Sequence, residues 1–405
     1  MARSGSVILF LALLFLSPFA DARQTVLLVS IDGFRADYLD RGRTPALSAL
    51  AADGVRAAMR PSFPSITFPN HYTLVTGLYP DHHGIVDNNM DDPHVAHSHF
   101  SLSDPQAATD PAWWSGAEPI WVTVQRQGGH AATLFWPGSE VEIRGVRPDH
   151  WLTYDKQMPD ADRVAKLLSW LDLPAAERPG FLTLYFDRVD TAGHHEGTSS
   201  AALNDALSAI DGAIAQLVDG LKQRGLADQV DLIIVADHGM TDLSPDRVIY
   251  IDDYVAPSSV HIVSWGAMMG VDLPAGVRGV TEPALLSPKD HMTCRRKQDM
   301  PARFHYGTNP RVPDILCLAE TGWLITSRAE AAKAKGPYVA SHGYDNQRPE
   351  MAALFIAHGP DFKRGLAHAS FDNVDVYPLM ANLLGLTPEP NDGTLSDVAD
   401  MLTTR

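Results

Sequence analysis

Cysteine is scarce in this chain, since only 2 of its 405 residues are cysteine. Two cysteines cannot build a disulfide scaffold or a cysteine-rich zinc module, so any metal site must use histidine and carboxylate ligands. At most one disulfide, between Cys294 and Cys317, is possible. Basic residues are also few, with 32 Lys and Arg against 49 Asp and Glu and a formal charge of −17. Such a surface repels polyanions, which argues against a nucleic-acid duplex as a partner and requires any phosphate specificity to be local.

The chain also lacks an apolar run long enough to span a membrane. The run from Val7 to Leu16 is shorter than the roughly 20 apolar residues that a bilayer requires. It ends before Ala20-Asp21-Ala22, a small-residue pattern typical of signal-peptide cleavage sites. We therefore expect residues 1–22 to be a signal peptide and the mature chain to begin near Arg23, with a membrane anchor as the alternative. The mature protein would then be exported without a membrane span, to the periplasm of a Gram-negative host and otherwise to the medium.

Beyond this segment, apolar runs alternate with amphipathic stretches, which is typical of a mostly parallel sheet flanked by helices. The predicted strands are Thr25–Ile31, Ala131–Trp136, Phe181–Phe186, Asp231–Ala236 and Met351–Ala357. The predicted helices are Thr44–Asp53, Ala201–Arg224 and Val374–Leu384. The stretch at about 262–341 breaks this rhythm and contains both cysteines and the basic cluster Arg295-Arg296-Lys297. We expect one α/β domain over residues 23–405, with that stretch as a small inserted lobe.

Three of the predicted strands are followed by acidic residues: Asp32, then Asp187 and Asp190, then Asp237. Ligands of a doubly wound sheet collect beyond the carboxyl ends of its strands, so these side chains could converge at one edge. Histidine accompanies two of them, as His194 four residues after Asp190 and as His238 beside Asp237.

A third imidazole, that of His342, precedes the last predicted strand. Oxygen and nitrogen ligands without thiolate suit zinc or another borderline divalent ion. For any single histidine a local hydrogen bond is the simpler explanation, but the joint pattern favours a metal site.

A candidate nucleophile is Thr67, which precedes a helix-like stretch. Pro69 fits the first turn of a helix, so Thr67 is a plausible N-cap. A helix N-terminus favours phosphate, and a hydroxyl there would lie beside it. The alternative is a threonine that only caps the helix.

Together these residues resemble the nucleotide pyrophosphatase/phosphodiesterase family of the alkaline phosphatase superfamily. The resemblance covers nearly all of the mature chain and rests, in order, on Ser30-Ile31-Asp32-Gly33, Thr67-Phe68-Pro69-Asn70-His71-Tyr72, Leu74-Val75-Thr76-Gly77-Leu78-Tyr79-Pro80, His83-Gly84-Ile85 with Asn88, Asp190 with His194, Asp237-His238-Gly239-Met240 and His342-Gly343-Tyr344-Asp345. One departure is Arg188-Val189 before Asp190, where many relatives carry Glu-Pro, which affects only the local turn.

The resemblance implies a catalytic domain of the alkaline-phosphatase type with two zinc ions per chain. It assigns one zinc to Asp32, Asp237, His238 and the Thr67 oxygen, and the other to Asp190, His194 and His342. His195 is the alternative to His194, because the doubled histidine leaves the register ambiguous by one residue.

The same resemblance implies that Thr67 attacks phosphorus and forms a covalent phospho-threonine, which is then hydrolysed. Asn88, with the backbone N–H of Thr67, would stabilise a non-bridging oxygen. Phe68 and Tyr154 match the family positions that sandwich a nucleobase, and stacking tolerates any base. Core packing is an equally good explanation for Tyr154.

The expected activity is hydrolysis of nucleoside triphosphates such as ATP, and of other nucleotide diesters, to nucleoside monophosphates. The alternatives are a lipid or choline phosphodiesterase, a phosphonate hydrolase of the same superfamily, and a metal-binding protein without turnover. A sulfatase is poorly supported, because the run Thr67-Phe68-Pro69-Asn70-His71 lacks the convertible residue and the arginine of the sulfatase signature.

Overall fold

A computed structural model describes residues 25–333 and 339–404 of the chain, so the predicted signal peptide lies outside the described residues. The strands in chain order are β1 (Thr25–Ile31), β2 (Val55–Met59), β3 (Asn89–Asp91), β4 (His99–Ser101), β5 (Ala131–Leu134), β6 (His150–Leu152), β7 (Phe181–Phe186), β8 (Val230–Val235), β9 (Thr241–Asp242), β10 (Val248–Tyr250), β11 (His261–Ser264), β12 (Met268–Asp272), β13 (Met292–Arg296), β14 (Ile315–Ala319), β15 (Leu324–Thr326), β16 (Ala340–Ser341), β17 (Ala353–His358) and β18 (Leu366–Ala367).

The α-helices in chain order are α1 (Pro45–Asp53), α2 (Thr67–Thr76), α3 (Pro80–His83), α4 (Pro105–Ala108), α5 (Pro111–Trp114), α6 (Ile120–Arg126), α7 (Asp160–Leu171), α8 (Arg188–Glu196), α9 (Ala201–Gln223), α10 (Arg278–Leu286), α11 (Arg328–Ala331) and α12 (Val376–Leu383). Within the described part of the chain, none of these helices combines the length and the apolar content that crossing a bilayer would need.

The central sheet has eight strands in the order β18-β2-β17-β8-β1-β7-β5-β6. Its pairings are parallel except those of β17, which runs antiparallel to both β2 and β8. The adjacent strands β8, β1 and β7 are buried along almost their whole length, as central strands covered on both faces must be. Helices α1 and α7 pack against strands β17 and β7. The mixed α/β fold with a mostly parallel sheet is therefore confirmed.

The predicted strands are confirmed in the sheet, with differences at their ends. Strands β1 and β7 match their predicted bounds, and β8 begins and ends one residue early. Strand β5 ends at Leu134 because Phe135 adopts a left-handed φ of 66°. Strand β17 begins only at Ala353, since Pro349–Met351 forms a short 3-10 turn before it.

The segment at about 262–341, which the sequence predicts as an insertion, contains a separate four-stranded antiparallel sheet in the order β11-β12-β14-β13. We refer to residues 261–319, which contain it, as the lobe. Cys294 on β13 faces Cys317 on β14, and the two form a disulfide. In the basic cluster, Arg296 forms an ion pair with Glu282. The cluster therefore takes part in pairing within the lobe.

Candidate active site

The acidic strand ends meet because their strands are neighbours. Asp32 directly follows β1, Asp237 lies just beyond β8, and Asp190 lies in the first turn of α8 after β7. Strands β8, β1 and β7 are adjacent and parallel, so their carboxyl ends lie at the same edge. Gly33 has a left-handed φ of +68°, and a side chain there would meet the Cα of Asp190 at 2.9 Å. This close approach brings the turn after β1 against α8.

The first group consists of Asp32, Asp237 and His238, whose candidate ligand atoms lie within 4.8 Å of one another. All three residues are buried. The Nε2 of His238 lies 3.0 Å from Oδ2 of Asp237 and 3.5 Å from Oδ1 of Asp32. The other oxygen of each carboxylate is occupied, because the Gly33 N–H donates to Asp237 over 3.1 Å and the Tyr185 hydroxyl to Asp32 over 2.6 Å.

The second group consists of Asp190, His194 and His342, which satisfy the same distance limit. Asp190 and His194 lie four residues apart on α8, so they share one helix face. The Nε2 of His194 lies 3.4 Å from Oδ1 of Asp190, and that of His342 lies 3.6 Å from it. His195 is exposed and does not belong to this group. The structure therefore brings His194, and not His195, to Asp190.

The three histidines of these groups are oriented by the backbone. Their Nδ1 atoms bond to carbonyl oxygens, over 2.9 Å from His194 to Ala340, 2.9 Å from His238 to Gly239 and 3.1 Å from His342 to Ser65. A carbonyl can only accept, so each Nδ1 carries the proton and each Nε2 presents a lone pair. The Nε2 atoms of His194 and His342 face each other at 3.1 Å. A cation between these two nitrogens would bind both lone pairs.

The two groups adjoin each other. The rings of His238 and His342 stack with centroids 3.6 Å apart. Burial, together with the nearby carboxylates of Asp237 and Asp190, raises the pKa of Asp32 well above its ordinary value. Burial would also raise the pKa of Asp237, but His238 and His71 hold it below its ordinary value. Buried negative charges this close to one another call for a compensating cation.

A metal ion can bind these groups only if their carboxylates have oxygens that are not already hydrogen-bonded. Oδ1 of Asp32, Oδ1 of Asp190 and Oδ2 of Asp237 are buried and accept no hydrogen bond within residues 25–333 and 339–404. Buried polar atoms are almost always paired, so these three oxygens point to an absent partner. With the imidazole nitrogens beside them, they form the oxygen and nitrogen ligand set that suits a zinc-like divalent ion. Each group therefore fits one such ion.

The prediction that Thr67 caps α2 is wrong. The helix begins one residue earlier than expected, with Thr67 in its first turn and Ile66 at the cap position, and no side chain caps the helix. The Thr67 hydroxyl instead lies 3.3 Å from Nε2 of His238. The hydroxyl is thus directed at the first ligand group and is free of a capping bond.

Asn88 reaches the same helix end. Its Oδ1 accepts the N–H of Phe68 over 2.9 Å. Pro69 has no N–H, and the N–H groups of a first helical turn have no partner within the helix. The N–H of Thr67 and the Nδ2 of Asn88 are therefore the donors available to an anion at this end.

The two predicted aromatic residues differ in their surroundings. Phe68 is partly buried, and its ring lies 5.8 Å from that of Phe100 and 6.1 Å from that of Trp114. Tyr154 is 41% exposed, and its ring meets that of Tyr185 edge-on at 6.1 Å. Since the Tyr185 hydroxyl bonds to Asp32, Tyr154 lies close to the first group.

Asp187, the remaining acidic strand end, lies outside both groups. It forms an ion pair with the buried Arg163, with its Oδ1 3.1 Å from Nη1.

Sequence reasoning gave no role to two residues that support the ligands, His71 and Tyr185. His71 is buried on α2, with Nε2 2.8 Å from the Ser30 hydroxyl and Nδ1 2.9 Å from the Thr67 carbonyl and 3.4 Å from Oδ2 of Asp237. Its position four residues after Thr67 was a usable signal, because such residues share a helix face. For Tyr185 the signal was a hydroxyl in a buried strand, which needs a partner.

Comparison of the sequence with known proteins identifies one family. A family model described as Type I phosphodiesterase / nucleotide pyrophosphatase matches residues 26–345. Ectonucleotide pyrophosphatase/phosphodiesterase family member 3 of Rattus norvegicus is 39% identical over 93% of this chain and 44% of its own length. A venom phosphodiesterase of Macrovipera lebetinus is 41% identical over 94% of this chain and 45% of its own length.

Solved structures agree with these matches. Murine ectonucleotide pyrophosphatase / phosphodiesterase 5, as an inactive threonine-to-alanine variant in complex with AMP, superposes with a TM-score of 0.89 and 35% identity, covering 94% of this chain and all of that one. The present chain spans slightly less than half the length of the rat and venom relatives. The family match and the shared architecture together establish that the chain belongs to the type I phosphodiesterase / nucleotide pyrophosphatase family.

Proposed function

We propose that this protein hydrolyses nucleotide phosphodiester and pyrophosphate bonds and releases nucleoside monophosphates. The observation that carries the proposal is the position of the Thr67 hydroxyl, 3.3 Å from Nε2 of His238 and beside two adjoining ligand groups. The AMP complex of the murine relative, an inactive threonine-to-alanine variant, supports a threonine nucleophile and a nucleotide ligand by analogy.

We propose zinc as the ion in both groups, one ion bound by Asp32, Asp237 and His238 and one by Asp190, His194 and His342. When bound, two such ions would stabilise the attacking and leaving oxygens and lower the pKa of a neighbouring hydroxyl. The tautomers set by the backbone carbonyls support this assignment, because each histidine presents Nε2 to its group.

In the proposed reaction the Thr67 hydroxyl gives up its proton to solvent and its oxygen forms a bond to phosphorus. The bond from phosphorus to the leaving oxygen breaks at the same time. The N–H of Thr67 and the Nδ2 of Asn88 donate to a non-bridging oxygen, where negative charge develops. Water then cleaves the phospho-threonine and restores the hydroxyl. With ATP as substrate the products are pyrophosphate and AMP. Phe68 and Tyr154 are proposed to contact the nucleobase, since part of each ring is accessible.

A substrate panel tests this function. The purified protein is incubated with ATP, a nitrophenyl ester of a nucleotide and glycerophosphocholine, each with and without a chelator. The proposal requires pyrophosphate release from ATP that stops on chelation and resumes with added zinc. Hydrolysis of glycerophosphocholine alone would favour the lipid-type alternative, and a metal-bound protein inert on every substrate would indicate a binding protein.

We also propose that the protein is exported, because an N-terminal apolar run is followed by Ala20-Asp21-Ala22, a pattern typical of signal-peptide cleavage sites. The Cys294–Cys317 disulfide supports an oxidising compartment. N-terminal sequencing of the protein from its native host tests this, with cleavage near Arg23 expected and an intact N-terminus in the cytosol contradicting it.

A further inference from the structure

The loop that carries Asn88 is held by side chains of the lobe. In this loop, residues 84–92, the Val86 carbonyl accepts the hydroxyl of Tyr306 over 2.9 Å. The guanidinium of Arg311 donates to the Gly84 carbonyl over 2.8 Å and to Asp92 over 2.9 Å. The lobe therefore fixes the loop on both sides of Asn88.

Between these anchors lies Asp87, which is 7% exposed. Its Oδ1 accepts the N–H of Asn89 over 3.1 Å, a hydrogen bond that spans Asn88. An aspartate that bonds to the N–H two residues later holds the main chain between them in a turn. The buried Asp87 carboxylate therefore fixes the main chain of Asn88 within the loop that the lobe anchors.

A charged carboxylate at this buried position costs free energy. Burial raises the pKa of Asp87 to about 6, although its hydrogen bond with the Asn89 N–H acts in the opposite direction. A buried charge is disfavoured unless hydrogen bonds offset the loss of water. An uncharged side chain would avoid that cost but would bind the Asn89 N–H less strongly.

The fixed main chain of Asn88 determines how its side-chain amide meets the N-terminus of α2. Asn88 accepts the Phe68 N–H with its Oδ1, so its amide has one orientation and its Nδ2 faces away from that bond. Moving the main chain of Asn88 would change this orientation. None of the hydrogen bonds named here joins Asp87 to the ligand groups or to Thr67, so Asp87 acts on the site through Asn88.

We propose that Asp87 is a positioning residue for Asn88, whose amide binds the phosphoryl oxygen. This inference rests on the proposed function, in which the Nδ2 of Asn88 donates to that oxygen. Because Asp87 acts through a group needed most in the transition state, its loss should lower kcat and change KM little.

A double-mutant cycle in the full chain tests the proposal, with the nitrophenyl nucleotide ester as substrate. Asp87→Ala should lower kcat by about tenfold or more, since a small displacement of a catalytic group is enough for such a loss. In an Asn88→Ala background the same change should have less than about a threefold effect, because the positioned group is gone. Equal losses in the two backgrounds would overturn the proposal.

Asp211 provides a matched control, because it is 4% exposed and accepts the N–H groups of Ala46 and Leu47 over 3.0 and 2.8 Å. Asp211→Ala should lower the melting temperature without lowering kcat.

A second measurement needs no turnover. Hydrogen exchange of the Phe68 N–H, followed by NMR, should be faster in Asp87→Ala, because its bond to Asn88 is weakened. Unchanged exchange would refute the positioning role, whatever the true substrate of the enzyme is. Absence of nucleotide hydrolysis by the wild type would refute only the proposed function. If Asp87→Ala does not fold, Asp87→Leu replaces it, because leucine is similar in size and cannot accept the Asn89 N–H, and wild-type kcat and exchange in that variant would refute the inference.

Discussion

At the scale of single residues, the account depends on the Thr67 hydroxyl. It makes no capping bond and lies 3.3 Å from Nε2 of His238. Thr67→Ala should reduce turnover by about a thousandfold or more, as loss of a nucleophile does, and change the melting temperature little. Thr76→Ala is the control on the same helix, since its buried hydroxyl donates to the Tyr72 carbonyl. That variant should be less stable and still active, and substantial activity in Thr67→Ala would exclude the covalent route.

Phe68 is expected to determine affinity for the nucleobase. Phe68→Ala should raise KM for a nitrophenyl nucleotide ester by about tenfold, because base stacking on an aromatic ring contributes about 1–3 kcal/mol. Bis(4-nitrophenyl) phosphate, which has no base, is the control substrate measured on the same variant. A similar rise in KM for both esters would show that Phe68 does not contact the base.

A buried histidine outside the site predicts how stability depends on pH. Burial lowers the pKa of His83 to about 3, and its Nδ1 accepts the N–H of Ile85 over 3.1 Å. Between the ordinary value of 6.5 and 3 the unfolded chain binds more protons, so the free energy of unfolding falls as the pH falls. His83 should contribute about 5 kcal/mol to this decline over the whole range.

Urea unfolding between pH 7 and pH 4 measures the difference between the wild type and His83→Gln. The variant should have the shallower decline, and loss of metal at low pH affects both proteins and largely cancels. The exposed His97 provides the control substitution. Parallel curves for the wild type and His83→Gln would contradict the prediction.

The sequence predicted the six ligand candidates but not the residues that orient them. Asp32, Asp190 and Asp237 were identifiable because each follows a long buried strand. Tyr185 and His71 were missed because their partners, Asp32 and Asp237, are far away in sequence. The register of β1 against β7 brings Tyr185 to Asp32. His71 reaches Asp237 from α2, through packing of this helix against the sheet edge.

At the scale of secondary structure, the long apolar strands were predictable and their ends were not. Strand β5 stops early because of the backbone conformation of Phe135, which has no signal in hydrophobic periodicity. The two-residue strands β9 and β16 are too short to show any periodicity. The start of α2 was misplaced because Thr67 and Pro69 suit both a cap and a first turn.

The disulfide between β13 and β14 should stabilise the lobe. It closes a loop with a sequence separation of 23 residues, for which the entropy of the unfolded chain predicts about 3 kcal/mol. The double variant Cys294→Ser with Cys317→Ser should therefore melt at a lower temperature than the wild type. Dithiothreitol should lower the melting temperature of the wild type alone, and identical melting of the two proteins would contradict a stabilising disulfide.

At the scale of the whole molecule, the site is assembled from segments distributed along most of the chain. The ligand candidates come from the turns after β1 and β8, from α8 and from the segment after β16, while the lobe holds the loop of Asn88. The mostly parallel character of the sheet could be anticipated from the alternation of strands and helices, but the strand order and the antiparallel β17 could not. The contacts of the lobe could not, because they depend on single polar side chains such as Tyr306 and Arg311.

The central claim is that two divalent ions occupy adjoining groups. The most direct test is the zinc content of the purified protein, measured by mass spectrometry of the metal. The wild type should contain two zinc ions per chain, while Asp237→Ala and His194→Ala should each retain one. Zinc content near zero after reconstitution, or no loss of zinc in either variant, would contradict the account.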